Sequence, residues 1–358
     1  MQESHSTHSF HESEPLADGR RTLRDRSNSA KFSSSEIFFQ GKFEGSWELL
    51  PQKSNIKPYR EGESITFDPT SQNFYFSYGL EENEKYSDSV YAYNINNQDW
   101  TKLDIKGTKK KAYCGSTFAD NKLWFFGGSI LNDFIQDFHY IDLKTNEAVY
   151  PETKGALPPK CHSPLVFQHN TDLIVWTPAT RSTSSSLHIL NLNTMTWSQI
   201  ETEHVYRLGA AASILDDRLY ILGTASSSET VISLNLNDYS LTVLQATGED
   251  PPCAPESMFV RTMGEYIVLV SSSCEEKTPC LYFFIPKKAL WLKIIYKKRE
   301  LKGHAIGFFA DKKANALYLL LRYTQEECSE RSVEIACINA GVSMAFINHE
   351  LDMMQMLF

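Results

Sequence analysis

The sequence predicts an all-β fold in which a four-stranded antiparallel unit is repeated six times around an axis. From about Glu36 onward, short apolar runs alternate with polar turns, as strands and their connections do. The runs recur every 46 to 51 residues, which is the length of a four-stranded repeat. Aromatic residues make up 12% of the chain, and they favour strands.

The clearest copy of the unit lies between Asn121 and Leu143. An apolar run, Leu123–Phe126, ends at Gly127-Gly128, and a polar loop separates it from a second run at Phe138–Leu143. Two such runs around a loop that opens with glycine predict an antiparallel hairpin. The glycines give the backbone freedom where a side chain would obstruct the turn or a neighbouring strand.

Each unit repeats this hairpin and adds one strand before it and one after it. The second strands are predicted at Phe74–Gly79, Leu123–Gly128, Leu173–Pro178, Leu219–Thr224, Tyr266–Ser271 and Leu317–Arg322. The third strands are predicted at Val90–Ile95, Phe138–Leu143, Leu187–Leu192, Val231–Leu236, Leu281–Pro286 and Val333–Ile338. The first strands are predicted at Gly62–Phe67, Cys114–Ala119, His162–Phe167, Gly209–Leu215, Glu256–Val260 and His304–Ala310.

The fourth strands carry the pattern W-x-x-[LI], which begins at Trp100, Trp197 and Trp291. In units two and four, Val149 and Leu241 fall near the place of the tryptophan. The chain departs from strict repetition in its glycines as well. Only the second unit keeps both, units one and four keep one, and the others keep none.

The last unit has no W-x-x-[LI] of its own. Trp47–Leu50 matches that pattern and has no strand trio in front of it. We therefore expect residues 45–51 to supply the outer strand of the last unit, which would close the ring without an open seam. The alternative is that Val342–Asn348 forms this strand.

In these runs and in its spaced tryptophans, the chain resembles the kelch repeat family from about Trp47 to Ile338. The resemblance implies a six-bladed β-propeller of kelch type with four-stranded antiparallel blades. We assign the propeller to residues 36–350, a disordered N-terminal tail to residues 1–35 and a short C-terminal tail to residues 351–358. The N-terminal tail is polar and lacks large aliphatic residues, as disordered segments do.

Two serines of the tail, Ser27 and Ser29, follow arginines and are candidate phosphorylation sites. The alternative is a solvated tail in which this spacing arises by chance.

The composition limits the environment and the partners. A net charge of −9 argues against nucleic acid, and no apolar run approaches the length that crosses a membrane. The N-terminus has no apolar signal segment, and the seven cysteines form no C-x-x-C pair. We expect a cytoplasmic monomer without metal or cofactor. The basic and aromatic stretch Leu290–Leu301 is interpreted as a junction between strand and loop.

Motifs of catalysis are absent: the sequence has no G-x-S-x-G, no H-E-x-x-H and no phosphate-binding loop. We therefore predict no catalytic residues and a non-catalytic scaffold or adaptor that binds a partner protein or peptide through one propeller face. The alternative is an enzyme that uses the channel, either galactose-oxidase-like or sugar-processing. A channel cluster of His, Tyr, Asp or Cys would favour that alternative.

The candidate partner-binding residues precede the first strands, near one mouth of the channel. They are the cations Arg60, Lys111, Lys160, Arg207 and Lys302 and their neighbours Tyr59, Tyr113, His162, Tyr206 and His304. Converging cations would attract an acidic or phosphorylated ligand. The kelch resemblance implies peptide binding by arginines and tyrosines at such positions, and it carries over best to Arg60, Lys160 and Arg207. The alternative is that all five cations are solvated loop charges.

Overall fold

The computed structural model describes residues 46–56, 58–131, 133–179, 184–201, 210–222, 230–249, 251, 258–271, 280–294, 301, 303–323 and 332–356. Within these residues the chain forms six sheets of four or five strands and a small two-stranded sheet, and each of the six larger sheets has one strand beside the central axis and one at the rim. The predicted six-bladed propeller is confirmed. The expected disordered tail, with Ser27 and Ser29, lies outside the described residues.

The strands follow in chain order. The first, β1, is Glu48–Leu49. Blade 1 contains β2 (Ser64–Asp68), β3 (Asn73–Ser77), β4 (Val90–Asn94) and β5 (Asp99–Leu103). Blade 2 contains β6 (Gly115–Ala119), β7 (Lys122–Phe126), β10 (Phe138–Asp142) and β11 (Glu147–Val149), and its loop holds the small hairpin β8 (Ser129–Ile130) and β9 (Asp133–Phe134). Blade 3 contains β12 (Lys154–Gly155), β13 (Leu165–His169), β14 (Asp172–Thr177), β15 (Ser186–Asn191) and β16 (Thr196–Ile200).

The second half repeats the same plan. Blade 4 contains β17 (Ala211–Leu215), β18 (Arg218–Leu222), β19 (Thr230–Asn235) and β20 (Leu241–Gln245). Blade 5 contains β21 (Thr247–Gly248), β22 (Met258–Met263), β23 (Tyr266–Ser271), β24 (Cys280–Ile285) and β25 (Leu290–Ile294). Blade 6 contains β26 (His304–Asp311), β27 (Ala316–Tyr323) and β28 (Ser332–Asn339), followed by helix α1 (Gly341–Met356).

The outer strand of blade 6 comes from the other end of the chain. Strand β1 pairs antiparallel with β28, with Glu48 opposite Cys337 and Leu49 opposite Ala336. Just before β1, Trp47 is 1% exposed and packs in the core between blades 5 and 6. Residues 342–348, the alternative source of this strand, lie within α1 instead. The helix also runs across the boundary that the sequence analysis places between residues 350 and 351.

Two blades have a fifth strand at the rim that the sequence analysis did not predict. The linkers that enter blades 3 and 5 contribute β12 and β21, which pair parallel with the outer strands β16 and β25. A Cβ at Gly155 would lie 2.1 Å from the carbonyl oxygen of Trp197, and one at Gly248 would lie 2.2 Å from that of Trp291. Only glycine permits this approach, which covers an edge that would otherwise be open to pairing.

Apolar side chains fill each junction between neighbouring blades, so that six core clusters surround the axis. Trp197 shows how a junction is built, since its ring packs edge-on against Phe126 and Phe138 of the preceding blade. The blades therefore stabilise one another through their faces, as repeats that cannot bury a core alone must do.

The antiparallel registers define two surfaces. Ser77 lies opposite both Ser64 and Val90, so the start of the first strand, the end of the second and the start of the third share one edge. We call this surface the loop face, because it carries the segments before the first strands and the long loops. The opposite turn face carries the short turns and α1. There Asn348 of α1 accepts a hydrogen bond from the hydroxyl of Tyr266.

Candidate functional site

On the loop face, each linker enters its blade between the loops of two consecutive blades. The amide of Gly79 donates to the carbonyl of Lys111, and the amide of Gly128 donates to that of Cys161. At Gly127 and Gly128 the φ angles are 68° and 111°, and added Cβ atoms would lie 2.6 Å from the oxygen of Cys161 and 2.7 Å from the sulfur of Cys114. The diglycine therefore allows neighbouring segments to approach closely, as the hairpin pattern predicted.

Two of the predicted binding cations are buried. Arg60 is 5% exposed, and its Nη1 donates to the carbonyl oxygens of Tyr78 at 2.9 Å and Ser89 at 3.0 Å. Its guanidinium also lies over the ring of Tyr91, and burial lowers its pKa. Lys111 is fully buried and forms an ion pair with Asp137. Both cations serve contacts within the propeller, so the expected convergence of five cations on a ligand does not include them.

Two of the predicted aromatic neighbours, Tyr113 and His162, form an arc across blades 1 to 3 together with Phe134. The hydroxyl of Tyr113 donates to Glu61 at 2.9 Å, and burial together with this bond raises the pKa of Tyr113 to about 12. The Tyr113 ring lies edge-on to His162, at 6.3 Å between centroids, and the ring of Phe134 lies 4.5 Å from His162. Burial lowers the pKa of His162. This arc is partly open to solvent, with Phe134 39% exposed.

Three other predicted residues lie within the described part of the chain. Lys160 is exposed at the entrance to blade 3. Tyr59 lies under the guanidinium of Arg322, which also forms an ion pair with Glu63. His304 is exposed at the start of β26. Arg207, Tyr206 and Lys302 lie outside the described residues.

A buried polar cluster at the junction of blades 1 and 2 was missed by the sequence analysis. His139 Nδ1 lies 2.9 Å from Asp137 Oδ2, and His139 Nε2 lies 2.6 Å from the hydroxyl of Tyr78. Lys111 forms an ion pair with the same Asp137 carboxylate, and its ammonium lies over the Tyr78 ring. We call these four residues the junction cluster.

The protonation states of the junction cluster follow from its surroundings. Burial lowers the pKa of His139 to about 4, even though Asp137 opposes this shift, so the imidazole is neutral at pH 7. Bonds from His139 and the charge of Lys111 hold the pKa of Asp137 below its usual range, against the effect of burial. With Nδ1 protonated, His139 donates to Asp137 and accepts from Tyr78.

The junction cluster resembles an acid–base relay in its hydrogen bonds, but it is closed. His139, Tyr78 and Lys111 are each 0% exposed, so no substrate can reach the imidazole or the hydroxyl. Its hydrogen bonds instead tie the end of blade 1's second strand to the third strand of blade 2. The sequence did contain a signal, because Asp137 and His139 are two residues apart at the start of an extended run and therefore fall on the same side of it.

The central channel contains a cavity of about 260 Å³ between the first strands of all six blades. Its described lining residues include no His, Tyr, Asp, Glu or Cys. The convergent acid–base group that would favour an enzyme is therefore not found among the described residues that line this cavity. The described residues also contain no group of three or more His, Cys, Asp or Glu side chains placed to hold a metal ion. Among the described helices, none is long and apolar enough to span a membrane.

The chain is similar to several known proteins over part of its length. Leucine-zipper-like transcriptional regulator 1 of Pongo abelii is 25% identical over 171 residues, 44% of this chain and 20% of that protein. Kelch domain-containing protein 10 of Xenopus tropicalis is 27% identical over 143 residues, 38% of this chain and 35% of that protein. Acyl-CoA-binding domain-containing protein 5 of Arabidopsis thaliana is 24% identical over 167 residues, 45% of this chain and 25% of that protein.

These similarities therefore span between a fifth and about a third of the length of the curated relatives. At the level of the family, the KLHDC2/KLHL20/DRC7 kelch-repeats domain matches residues 26–224, which is more than half of the chain. The match covers the first four second strands and the loop-face arc. With its six propeller blades, the chain belongs to this kelch-repeat family.

Proposed function

We propose that this protein is a non-catalytic scaffold that binds a partner protein or peptide through the loop face. The observation that carries the proposal is the partly exposed arc of Tyr113, Phe134 and His162 beside the exposed Lys160. Aromatic rings with polar tips bury much area at small entropic cost and dominate binding in many interfaces. Kelch-repeat relatives are consistent with such a role.

The hairpin β8–β9 gives the arc an apolar edge. Leu131 at its tip is 79% exposed, and Phe134 on its second strand contacts His162. The hairpin is held against the entrance of blade 3, because Ile135 pairs with Cys161 and Gln136 donates to the carbonyl of Pro158. A partner would thus meet apolar side chains on a fixed support, which reduces the entropic cost of binding.

The proposed partner chemistry differs from the ring of cations expected from sequence. Arg60 and Lys111 are committed to internal contacts, and Glu61 places a carboxylate beside Tyr113. Lys160 remains as an exposed cation for an acidic or phosphorylated group of the partner. We therefore propose a mixed apolar and polar interface rather than a purely electrostatic one.

The test compares two surfaces of the full chain. The loop-face variant combines Leu131→Ser, Phe134→Ser and Lys160→Glu. The control combines Val243→Ser at the rim with Lys287→Glu on the turn face, where these residues are 46% exposed and 80% exposed at the side chain, respectively. Both proteins are used for affinity purification from cells with quantitative mass spectrometry, and their thermal unfolding is recorded.

We expect the loop-face variant to lose specific partners that the wild type and the control retain, with similar unfolding temperatures in all three. Retention of the same partners by a folded loop-face variant would contradict the proposal.

A further inference from the structure

The central cavity contains an arginine that the proposed function does not use. Arg261 lies on β22 of blade 5, and the cavity is bounded by one strand from each blade: β2, β6, β13, β17, β22 and β26. Pro69, in a turn of blade 1, also lines it, so the cavity extends towards the turn face and away from the loop-face arc. It is thus distinct from the proposed partner surface.

Arg261 is the only charged side chain among the described residues that line this cavity. Its Nη1 donates to the carbonyl oxygen of Val260 at 2.7 Å, and its guanidinium lies 4.9 Å from the centroid of the Phe309 ring. It forms no salt bridge with a carboxylate of the described chain. Burial lowers its pKa to about 10, so it keeps its charge at pH 7.

A guanidinium has five N–H donors in a planar fork, and the described contacts of Arg261 use one. The remaining donors are suited to the two oxygens of an oxyanion. Stacking on Phe309 fixes the plane of the group while leaving its edge for hydrogen bonds.

Hydroxyl groups and aromatic rings complete the cavity. Thr262 donates to the carbonyl of Ile214, so Ser213 donates to Thr262 at 2.9 Å. Thr66 donates to Ser116 at 3.3 Å. Because Ser116 only accepts in this bond, its own O–H can rotate towards an anion in the cavity. The phenylalanines on the same wall lower the local dielectric, which strengthens a charge-assisted bond relative to water.

We propose that the central cavity binds a small inorganic oxyanion of the phosphate or sulfate class, held by the Arg261 guanidinium and the Ser116 hydroxyl. The bound ion would neutralise the buried charge and link first strands that belong to different blades. It would therefore stabilise the ring from its centre, in addition to any binding at the loop face.

The test is a titration of the full-length protein with inorganic phosphate, followed by ³¹P NMR line broadening and by thermal unfolding. Sodium chloride at equal ionic strength is the reference. The variant is Arg261→Met, and the matched control is Lys287→Met, which removes one exposed cation elsewhere. Sulfate is then added to displace phosphate.

We expect saturable binding and a rise in unfolding temperature for the wild type and the control, with competition by sulfate. Arg261→Met should bind phosphate at least about tenfold more weakly. Should Arg261→Met fail to fold, Arg261→Lys retains the charge without the planar fork and should bind more weakly than the wild type. Absence of saturable binding to the wild type, equal binding by the arginine variant, or an equal effect of chloride would overturn the proposal and identify any response as an adventitious ion only.

Discussion

Lys111 and Arg261 are both inward-facing cations, but they differ in whether a carboxylate lies beside them. Lys111, between blades 1 and 2, has a carboxylate partner in Asp137 and is sealed from solvent. Arg261, in the central channel, has a carbonyl and an aromatic ring as neighbours but no carboxylate among the described residues. An inward-facing charge with an internal partner is thus a fixed structural element, whereas the Arg261 charge, which lacks such a partner, is the one that we propose to be available to a ligand.

The largest expected effect comes from removing the internal partner. Asp137→Ala leaves the Lys111 charge buried without a carboxylate and should lower the free energy of unfolding by about 3–5 kcal/mol. Asp217→Ala is the control, since that carboxylate is 57% exposed and pairs with His169 at the surface. Denaturant unfolding would measure both. A loss for Asp137→Ala no greater than that of the control would show that the Lys111 charge is relieved in another way.

The next effect is a dependence on pH. His139 has a pKa of about 4 in the folded protein against about 6.5 in the unfolded chain, so between these values the unfolded state binds the additional proton. The contribution of His139 to stability is therefore complete above about pH 6.5 and is lost as the pH falls towards 4.

His139→Phe should reduce the slope of stability against pH in this window by about one proton per molecule. The ring of phenylalanine preserves stacking on Phe125 and Tyr150. An identical slope in wild type and His139→Phe would show that the imidazole does not titrate in this range.

A smaller effect is expected at the other end of the junction cluster. Tyr78→Phe removes the hydroxyl that bonds His139 Nε2 but keeps the ring against Phe125. The loss of one buried hydrogen bond should cost about 1–2 kcal/mol in unfolding free energy. The matched comparison is Tyr75→Phe in the same blade, whose hydroxyl bonds the surface residue Asn73. If both variants lose the same unfolding free energy, the hydrogen bond between Tyr78 and His139 contributes little to stability.

The smallest effect on intrinsic stability is expected at Arg261. In buffer free of phosphate and sulfate, Arg261→Met should change the unfolding free energy by less than about 1 kcal/mol, because no charged partner is left unpaired. Chemical denaturation measures this value. A loss greater than about 2 kcal/mol would mean that Arg261 is a structural cation like Lys111.

The fold was accessible from sequence because it depends on repetition. Each blade needs the same four strands, so apolar runs recur at nearly constant spacing and tryptophans recur at matching positions. The extra rim strands β12 and β21 could not be predicted from sequence, since a strand of two residues that ends in glycine is too short to show a periodic pattern. The need for glycine at these positions is explained only by the structure, in which the carbonyl oxygens of Trp197 and Trp291 lie too close for a Cβ atom.

The candidate site was less accessible. The sequence located Arg60 and Lys111 before the first strands, but charge alone does not reveal whether a side chain points to a ligand or to a partner within the fold. The bond of Lys111 to Asp137 joins positions that are close only once the third strand of blade 2 lies beside its linker. Arg261 was not identified at all, because its environment is built by strands from six distant parts of the chain.

The pairing of β1 with β28 has a consequence for how this chain folds. Glu48 and Cys337 are partners across nearly the whole sequence, so this contact raises the contact order of an otherwise local set of hairpins. During synthesis the first strand is exposed long before its partner leaves the ribosome, while the earlier blades can already form from consecutive strands. Ring closure should therefore be a late step, and until it occurs, the edge of β1 and the Trp47 side chain are free to associate with other chains or with chaperones.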